Sequence, residues 1–192
     1  LHGDTLKGLF GIGDKKIENI VKGIALFKTS QQRISIGMAY PVVKRIIEEL
    51  KHNPKIQDIQ AAGSLRRMKE TVGDIDILVS GAEGTEIVKS FVNMRGVTQI
   101  LAAGDTKGSV RIEEGVQVDL RVVREDEFGA ALQYFTGSKE HNVHLREIAR
   151  KKGLKVSEYG IFRGDKKVGG RLEEEIYATL GMDWISPGLR EN

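Results

Sequence analysis

The spacing of apolar residues divides the chain into a helical region, a region of short strands and a second helical region. Near the start, apolar residues recur at helical spacing after a glycine-rich turn at Gly11-Ile12-Gly13: Ile17, Ile20, Val21 and Ile24. This pattern predicts two helices joined by a tight turn. A further amphipathic stretch over 42–50 predicts another helix, with Pro41 either in its first turn or kinking it.

From about residue 56 the helical spacing gives way to alternation. Apolar residues take every second position in two stretches: Ile75, Ile77 and Val79 in the first, and Val116, Val118, Leu120 and Val122 in the second. Each stretch predicts a half-buried strand with one polar face, and the polar face of the first strand carries Asp74, Asp76 and Leu78. One helix over about 85–94 is expected between the two strands.

Helical spacing returns in the last third of the chain. The predicted elements are helices over 128–135, 138–152 and 173–180 and short strands around Val156, Ile161 and Val168. Ser138 is the predicted N-cap of the middle helix, and Gly153 is expected to end it. The whole pattern predicts an α+β fold in which helices are followed by a mixed sheet with helices, and then by helices with small strands.

The composition excludes several kinds of chemistry but does not identify a binding partner. The chain has 192 residues, a net charge of +3 and no cysteine, which excludes disulfides, thiolate metal sites and cysteine nucleophiles. No apolar run approaches the roughly 20 residues of a membrane span, so a cytoplasmic protein without membrane contact is expected. The start at Leu1 and the linker-like segment after Trp184 predict a fragment of a longer protein.

Positive charge is concentrated late in the chain. Between Lys139 and Arg171 there are ten Lys or Arg residues against four acidic ones. A local basic surface of this kind suits a polyanion such as DNA. A solvated helix end, in which Arg150, Lys151 and Lys152 complement the helix dipole, is the alternative.

Three aspartates are the candidate metal ligands. Asp74 and Asp76 lie two residues apart on one face of a predicted strand, and Asp119 lies on the polar face of another. If the two strands are neighbours, three carboxylates converge, and hard oxygen ligands on rigid strands suit Mg²⁺. Ordinary solvent-facing strand positions are the alternative for each aspartate.

A segment that begins with Gly63, about ten residues before the paired aspartates, is a candidate anion site. Gly63-Ser64-Leu65-Arg66-Arg67 follows a predicted strand and opens a short helix, so that backbone amides, the Ser64 hydroxyl and Arg67 can meet an anion. A glycine turn with a serine cap is the alternative. Combined with the aspartates, the segment predicts a triphosphate site beside a two-metal centre.

The first glycine turn is a candidate DNA contact. Gly11 and Gly13, followed by Lys15 and Lys16, have the spacing of a helix-hairpin-helix, whose backbone amides face a nucleic-acid phosphate. A plain helical hairpin that only needs a flexible turn remains the alternative.

Several motifs together resemble those of the X family of DNA polymerases, the relatives of polymerase beta. The motifs are Gly63-Ser64-x-Arg66-Arg67, Gly73-Asp74-x-Asp76, Val118-Asp119-Leu120-Arg121, Tyr134-Phe135-Thr136-Gly137-Ser138 and Glu158-Tyr159. The resemblance implies a nucleotidyltransferase palm with a mixed β-sheet, flanked by a helical helix-hairpin-helix fingers fragment and an α/β thumb. The implied boundaries are 1–32 for the fingers fragment, 33–124 for the palm and 125–192 for the thumb.

The resemblance also implies roles for individual residues. Two Mg²⁺ ions, which Mn²⁺ can replace, would be bound by the catalytic carboxylates Asp74, Asp76 and Asp119. The implied nucleotide-binding residues are Arg33, Gly63, Ser64, Arg67, Gly73, Tyr134, Phe135, Gly137 and Asn142. The implied DNA-binding residues are Gly11, Gly13, Lys15, Lys16, Arg121 and Arg146.

Two further expectations concern single side chains. Arg121 is expected to pair with Glu158 or Asp76, which would couple closure of the thumb to assembly of the metal site. His141 and His144 lie three residues apart, a spacing that permits metal ligation, but without a third soft ligand they are expected to face a groove or the surface.

The resemblance implies a DNA-directed DNA polymerase that fills short gaps in repair. Its expected partners are primer-template or gapped DNA and deoxynucleoside triphosphates, and it is expected to act as a monomer at the nucleoid of a prokaryotic cell. A nucleotidyltransferase that extends ends without a template is one alternative. A DNA-binding module whose catalysis is lost or weakened by truncation is another.

Overall fold

A computed structural model of the protein describes residues 33–191. The chain divides into two compact units, Leu1–Arg33 and Ile34–Asn192, and the account of the fold concerns the second. The predicted hairpin, with Gly11, Gly13, Lys15 and Lys16, lies outside the described residues, as does the predicted fingers fragment 1–32.

A five-stranded mixed sheet forms the first half of the described unit. Its spatial order is β2 (Asp58–Ala61), β4 (Asp74–Ser80), β7 (Gln117–Val123), β6 (Lys107–Ile112) and β5 (Val97–Ala103). Strands β4 and β7 are parallel, and the other neighbours are antiparallel. The predicted mixed sheet is confirmed, and the two aspartate-bearing strands are direct neighbours at its centre.

Two helices cover one face of this sheet and bury the main apolar core. Helix α1 (Ile36–Leu50) and helix α3 (Gly84–Val92) contribute their apolar sides to it. Ser35 caps α1, since its hydroxyl accepts a hydrogen bond from the amide of Met38 at 3.4 Å. The helix therefore begins before the predicted 42–50, and Pro41 lies inside it at the cost of one backbone hydrogen bond.

The opposite face of the sheet is also covered, which corrects the prediction of a polar face along the whole of β4. Leu78 is buried in a small apolar cluster with Ala62, Ala131 and Leu132. The last two belong to helix α4 (Phe128–Thr136), which packs on this side of the sheet. On this face, Asp74 and Asp76 lie at the start of β4, and the buried Ser80 lies at its end, where its hydroxyl donates to Asp58 at 2.8 Å.

The remaining elements form a smaller α/β layer. They are helix α5 (Lys139–Lys151), the antiparallel strands β8 (Lys155–Ser157), β9 (Gly160–Arg163) and β10 (Lys166–Gly169), and helix α6 (Glu173–Thr179). As predicted, Ser138 caps α5 by accepting a hydrogen bond from the amide of His141 at 3.2 Å. Gly153, with φ of +67°, follows the end of the helix.

The described unit also contains several short elements, among them two 3-10 helices, Glu125–Glu127 and Pro187–Leu189. Strand β1 (Ile34–Ser35) pairs with β3 (Thr71–Val72), and between them in sequence lies the short helix α2 (Gly63–Arg66). Within residues 33–191 there is no helix with the length and apolarity that crossing a membrane requires.

A buried ion network joins the first half of the unit, built on the five-stranded sheet, to the second half, which is the smaller α/β layer with the C-terminal segment. The carboxylate of Glu173, on α6, accepts two hydrogen bonds from Arg66 at 2.9 Å each and one from Arg190 at 2.6 Å. The indole of Trp184 donates a further one at 2.9 Å. Because Glu173 and Arg190 are almost inaccessible to solvent, this network fixes α2 of the first half against α6 of the second.

Candidate active site

Three aspartates meet at one end of the two central strands. The parallel register of β4 and β7 pairs Asp76 with Asp119, and Asp74 precedes Asp76 by two residues on the same face. The structure supplies the direct strand pairing on which the expected convergence depends, and it places the three aspartates at neighbouring positions of the sheet.

The electrostatics of Asp76 reflect this crowding. Burial, followed by the charges of Asp74 and Asp119, raises the pKa of Asp76 from 3.8 to about 7. Arg67 and Lys107 oppose the rise with smaller effects. A carboxylate in this position is stabilised by an added positive charge, which a proton or a metal ion can provide.

The donor set fits a hard divalent cation such as Mg²⁺, because all three candidate ligands are carboxylates on rigid strands. Within the part of the chain that the structure describes, however, no three acidic or histidine side chains are already gathered into a ligand cluster. The carboxylate of Asp119 accepts hydrogen bonds from the Ser109 hydroxyl and from the Gln117 amide, the latter at 2.9 Å. These hydrogen bonds hold Asp119 in place without adding charge.

Position 63 must be glycine because the carboxylate of Asp76 lies against its backbone. It has φ of +60°, and a Cβ atom at this position would lie 2.0 Å from Oδ2 of Asp76. The sequence predicts that Gly63 admits an anion close to the backbone, and the anion found there is the carboxylate of Asp76. Ser64, the next residue, is half-buried at the start of α2.

Arg67 connects this turn to two later segments. Its Nε donates to Oε1 of Glu191 at 2.6 Å, and its Nη1 donates to the carbonyl oxygen of Thr136 at 2.5 Å. Its guanidinium lies against Gly137, where a Cβ atom would be 3.4 Å from Nη1. The arginine predicted to bind a triphosphate is thus held at the meeting point of α2, the end of α4 and the C-terminal segment.

The predicted nucleotide-facing residues cluster at the end of α4. Tyr134 and Phe135 are in edge-to-face contact, with ring centroids 5.2 Å apart. Gly137 has φ of +69° and is joined to Ser138 by a cis peptide bond. Asn142, on α5, donates to the carbonyl oxygen of Tyr134 at 2.7 Å and accepts from Gln133 at 2.7 Å, so its side chain ties α5 to α4.

The predicted ion pair of Arg121 is wrong in this structure. Neither Glu158 nor Asp76, both of which are among the described residues, forms an ion pair with Arg121. The guanidinium lies instead over the ring of Phe135, 5.2 Å from its centroid, where a cation is attracted by the π-face. Glu158 and Arg121 nevertheless line the same cleft, together with Phe135.

His141 also differs from its prediction as a residue that faces a groove or the surface. It is buried, and its Nε2 lies 2.9 Å from the hydroxyl of Tyr177 on α6. Burial, with a contribution from the nearby Arg190, lowers the pKa of His141 to about 4, so the ring is neutral at physiological pH. His144 is exposed, as expected, and Arg146 is also exposed one helical turn after Asn142.

Two predicted residues remain to be placed. Gly73 is half-buried between β3 and β4, directly before Asp74. Arg33 is the last residue of the first compact unit, so its proposed contact with nucleotide stays a prediction.

Several residues of the site were not predicted. A cleft of about 100 Å³ beside the aspartates is lined by Lys107 as well as by Arg121 and Phe135. Lys107 and Ser109 belong to β6, and their approach to the site follows from the pairing of Ser109 with Asp119. Gln117 could have been found, because strand alternation puts it on the same face as Asp119. The partner of β6 cannot be read from local sequence.

Comparison with protein families gives two matches that cover most of the described residues. The family model described as DNA polymerase beta palm matches residues 33–121, and the one described as DNA polymerase beta thumb matches residues 131–191. The palm match contains all three aspartates, and the thumb match contains the end of α4 and all of α5.

Curated relatives agree with these matches. "DNA polymerase/3'-5' exonuclease PolX" from Bacillus subtilis (strain 168) is 35% identical over 192 residues, which cover 97% of this chain and 34% of that protein. "DNA polymerase lambda" from Rattus norvegicus is 28% identical, covering 68% of this chain and 28% of that protein. "Repair DNA polymerase X" from African swine fever virus (isolate Pig/Kenya/KEN-50/1950) is 28% identical, covering 70% of this chain and 82% of that protein.

The chain therefore spans about a third of the length of the Bacillus protein and less of the rat protein. The two matched subdomains, with a bacterial relative that aligns along almost the whole chain, establish the family. The chain belongs to the X family of DNA polymerases.

Proposed function

We propose that this chain is the catalytic core of a template-directed DNA polymerase that fills short gaps in DNA repair. The observation that carries the proposal is the pairing of Asp76 with Asp119 on parallel neighbouring strands, with Asp74 on the same face. The names of the relatives, which include DNA polymerases and a repair polymerase, support this class of reaction.

The proposed reaction is attack of a primer 3′-hydroxyl on the α-phosphate of a deoxynucleoside triphosphate, with release of pyrophosphate. Asp74 and Asp76 would bind two divalent cations, Mg²⁺ or in its place Mn²⁺, and Asp119 would bind the one beside the primer. When bound, the ions supply a lowered pKa for the hydroxyl and neutralise the charge of the leaving group.

Asp119 is the proposed proton acceptor. Its carboxylate lies next to that of Asp76, and hydrogen bonds from the neutral groups of Ser109 and Gln117 orient it. A base held in one orientation needs no rearrangement of its own when the hydroxyl proton is transferred.

The nucleotide would lie between α2 and the end of α4. Ser64 and Arg67 are the proposed triphosphate ligands, because a hydroxyl and a guanidinium flank the turn at Gly63. Tyr134 and Phe135 would fill the space that a ribose 2′-hydroxyl needs, with Gly137 allowing the chain to turn there. The remaining proposed contacts are Arg33, Gly73 and Asn142.

DNA would contact the basic residues around the site. Arg121 and Arg146 are proposed to contact DNA near the nascent base pair, and the hairpin residues to contact backbone phosphates: Gly11, Gly13, Lys15 and Lys16. The chain is proposed to act as a monomer. In a prokaryotic cell its DNA substrate would be the nucleoid.

Primer extension on three substrates tests the proposal. We expect template-dependent addition, fastest on a DNA with a short gap, slower on an open primer-template and absent on a single strand. Addition to a single strand with no template would instead assign a template-independent nucleotidyltransferase. DNA binding with no extension on any substrate would leave only a DNA-binding module.

A further inference from the structure

The C-terminal segment is anchored beside the proposed triphosphate site. The guanidinium of Arg190 is buried, where it donates to Glu173 at 2.6 Å and twice to the carbonyl oxygen of Ile185 at 2.8 and 2.6 Å. Its own carbonyl oxygen accepts from the amide of Ser138 at 3.2 Å. Because Arg190 is fixed in this way, Glu191, the next residue, is held close to α2.

Glu191 places a carboxylate between two cations of the turn. Oε1 accepts from Nε of Arg67 at 2.6 Å, and Oε2 accepts from Nζ of Lys69 at 2.9 Å. Arg67 is largely enclosed and Glu191 is about one third exposed. Both cations hold the pKa of Glu191 below its usual value, so the carboxylate is charged at neutral pH.

This arrangement competes with a phosphate for the same donors. A guanidinium binds a phosphate best through two parallel N–H groups, and Glu191 occupies the edge of Arg67 that carries Nε. The carboxylate also neutralises positive charge at a site that would receive a highly charged anion. A triphosphate must therefore displace Glu191 or bind with fewer contacts.

We infer that Glu191 is an internal carboxylate competitor that weakens nucleotide binding at Arg67 and so sets the affinity for the incoming triphosphate. The inference rests on the proposed function, because it takes Arg67 as a triphosphate ligand. Release of Glu191 from Arg67 and Lys69 would accompany nucleotide binding, and the free carboxylate would return when pyrophosphate leaves.

The test compares Glu191→Gln with wild type and with Glu114→Gln. Glu114 is a matched control, because it pairs with Arg45 at 2.7 Å and is 31% exposed against 34% for Glu191. Binding of Mg²⁺-dATP and of inorganic tripolyphosphate is measured by calorimetry without DNA, and KM and kcat for dATP are measured by primer extension.

We expect Glu191→Gln to bind both ligands about two- to fivefold more tightly, as the coupling of a partly exposed ion pair predicts. KM should fall by a similar factor with kcat unchanged, and Glu114→Gln should match wild type. The gain should shrink in an Arg67→Met background, and it should shrink at 0.5 M salt. A positional role of Glu191 without competition would not produce these changes.

Unchanged or weaker tripolyphosphate binding by Glu191→Gln, including no binding by either protein, would overturn the inference. The outcome is separable from failure of the proposed function. Wild type that extends primers while Glu191→Gln shows no gain contradicts only the role of Glu191. Wild type that extends no primer contradicts the polymerase proposal itself.

Discussion

At the scale of single residues, Asp76 bears the main electrostatic cost of the site. Burial and the neighbouring charges of Asp74 and Asp119 raise its pKa to about 7, against 3.8 for an ordinary aspartate. Between about pH 4 and 7 the folded protein therefore holds a proton that the unfolded chain has lost. The stability contributed by this protonation declines as the pH rises through that interval.

This shift predicts that Asp76→Asn stabilises the protein in the absence of metal. The amide carries no charge at any pH, so the variant avoids the loss that wild type suffers. In EDTA we expect urea unfolding to show a gain of at least about 2 kcal/mol at pH 8 and a smaller gain at pH 5. Asp165→Asn, at an exposed turn position, serves as the control. A gain that does not grow with pH would contradict the assigned pKa.

Gly63 allows a second test at the residue scale. Gly63→Ala introduces a Cβ atom 2.0 Å from Oδ2 of Asp76 at a φ of +60°. Gly164 has a similar φ of +57° but nothing within 4 Å of such an atom, so Gly164→Ala carries the backbone cost alone. We expect Gly164→Ala to cost about 1 kcal/mol of unfolding free energy with activity retained.

Gly63→Ala is expected to cost more and to reduce primer extension at least tenfold, since the carboxylate of Asp76 must move. Chemical denaturation and extension rates measure both effects. Equal losses of stability and activity in the two variants would show that the contact between Gly63 and Asp76 is unimportant.

At the scale of elements, local periodicity predicts most helices and strands because each element buries one face and exposes the other. The start of α1 was missed because Gly37 and Pro41 interrupt the helical signal, although Ser35 caps the helix there. The burial of Leu78 was missed for a different reason. Alternation along β4 cannot indicate that α4 covers the second face of the sheet.

The candidate site, like the elements, could be predicted only as far as local sequence reaches. Asp74, Asp76 and Asp119 stand out because strand alternation and motif spacing select them. The approach of Lys107 and Ser109 depends on which strand β6 pairs with, and the burial of His141 depends on which helix faces α5. Both are tertiary choices that local sequence does not contain.

Because Glu173 joins α2 to α6, we expect its substitution to lower the free energy of unfolding. Glu173→Gln removes the charge that Arg66 and Arg190 share in a buried network. The loss should reach about 3–5 kcal/mol, since it leaves buried cations without their partner. Glu114→Gln, at an exposed pair, should cost about 1 kcal/mol or less.

The pH dependence of stability gives a second test of the Glu173 network. The pKa of Glu173 is lowered from 4.5 to about 2, as its arginine partners outweigh the effect of burial. The stabilisation is thus fully present above about pH 4.5 and declines as the pH falls toward 2. Thermal unfolding at pH 7 and pH 3 measures both points. A Glu173→Gln loss no greater than that of Glu114→Gln would contradict the role of the network.

At the scale of the whole molecule, the candidate site lies where the two halves of the described unit meet. The aspartates belong to the five-stranded sheet, while Arg67 is held by Thr136, at the end of α4, and by Glu191, in the C-terminal segment. Any change in the packing of α4 or of the C-terminal segment would therefore be transmitted to Arg67.

The central claim is that three aspartates on paired strands perform nucleotidyl transfer to DNA, and Asp119→Asn tests it most directly. The measurement is the rate of single-nucleotide addition to a gapped primer in Mg²⁺, with DNA affinity measured on the same samples and Asp165→Asn as the control. We predict a loss of at least about a thousandfold in rate, because Asp119 is proposed to act both as a metal ligand and as the proton acceptor. DNA affinity should stay within about twofold, since counterion release depends on the basic residues. An Asp119→Asn protein that adds nucleotides at the wild-type rate would contradict the account.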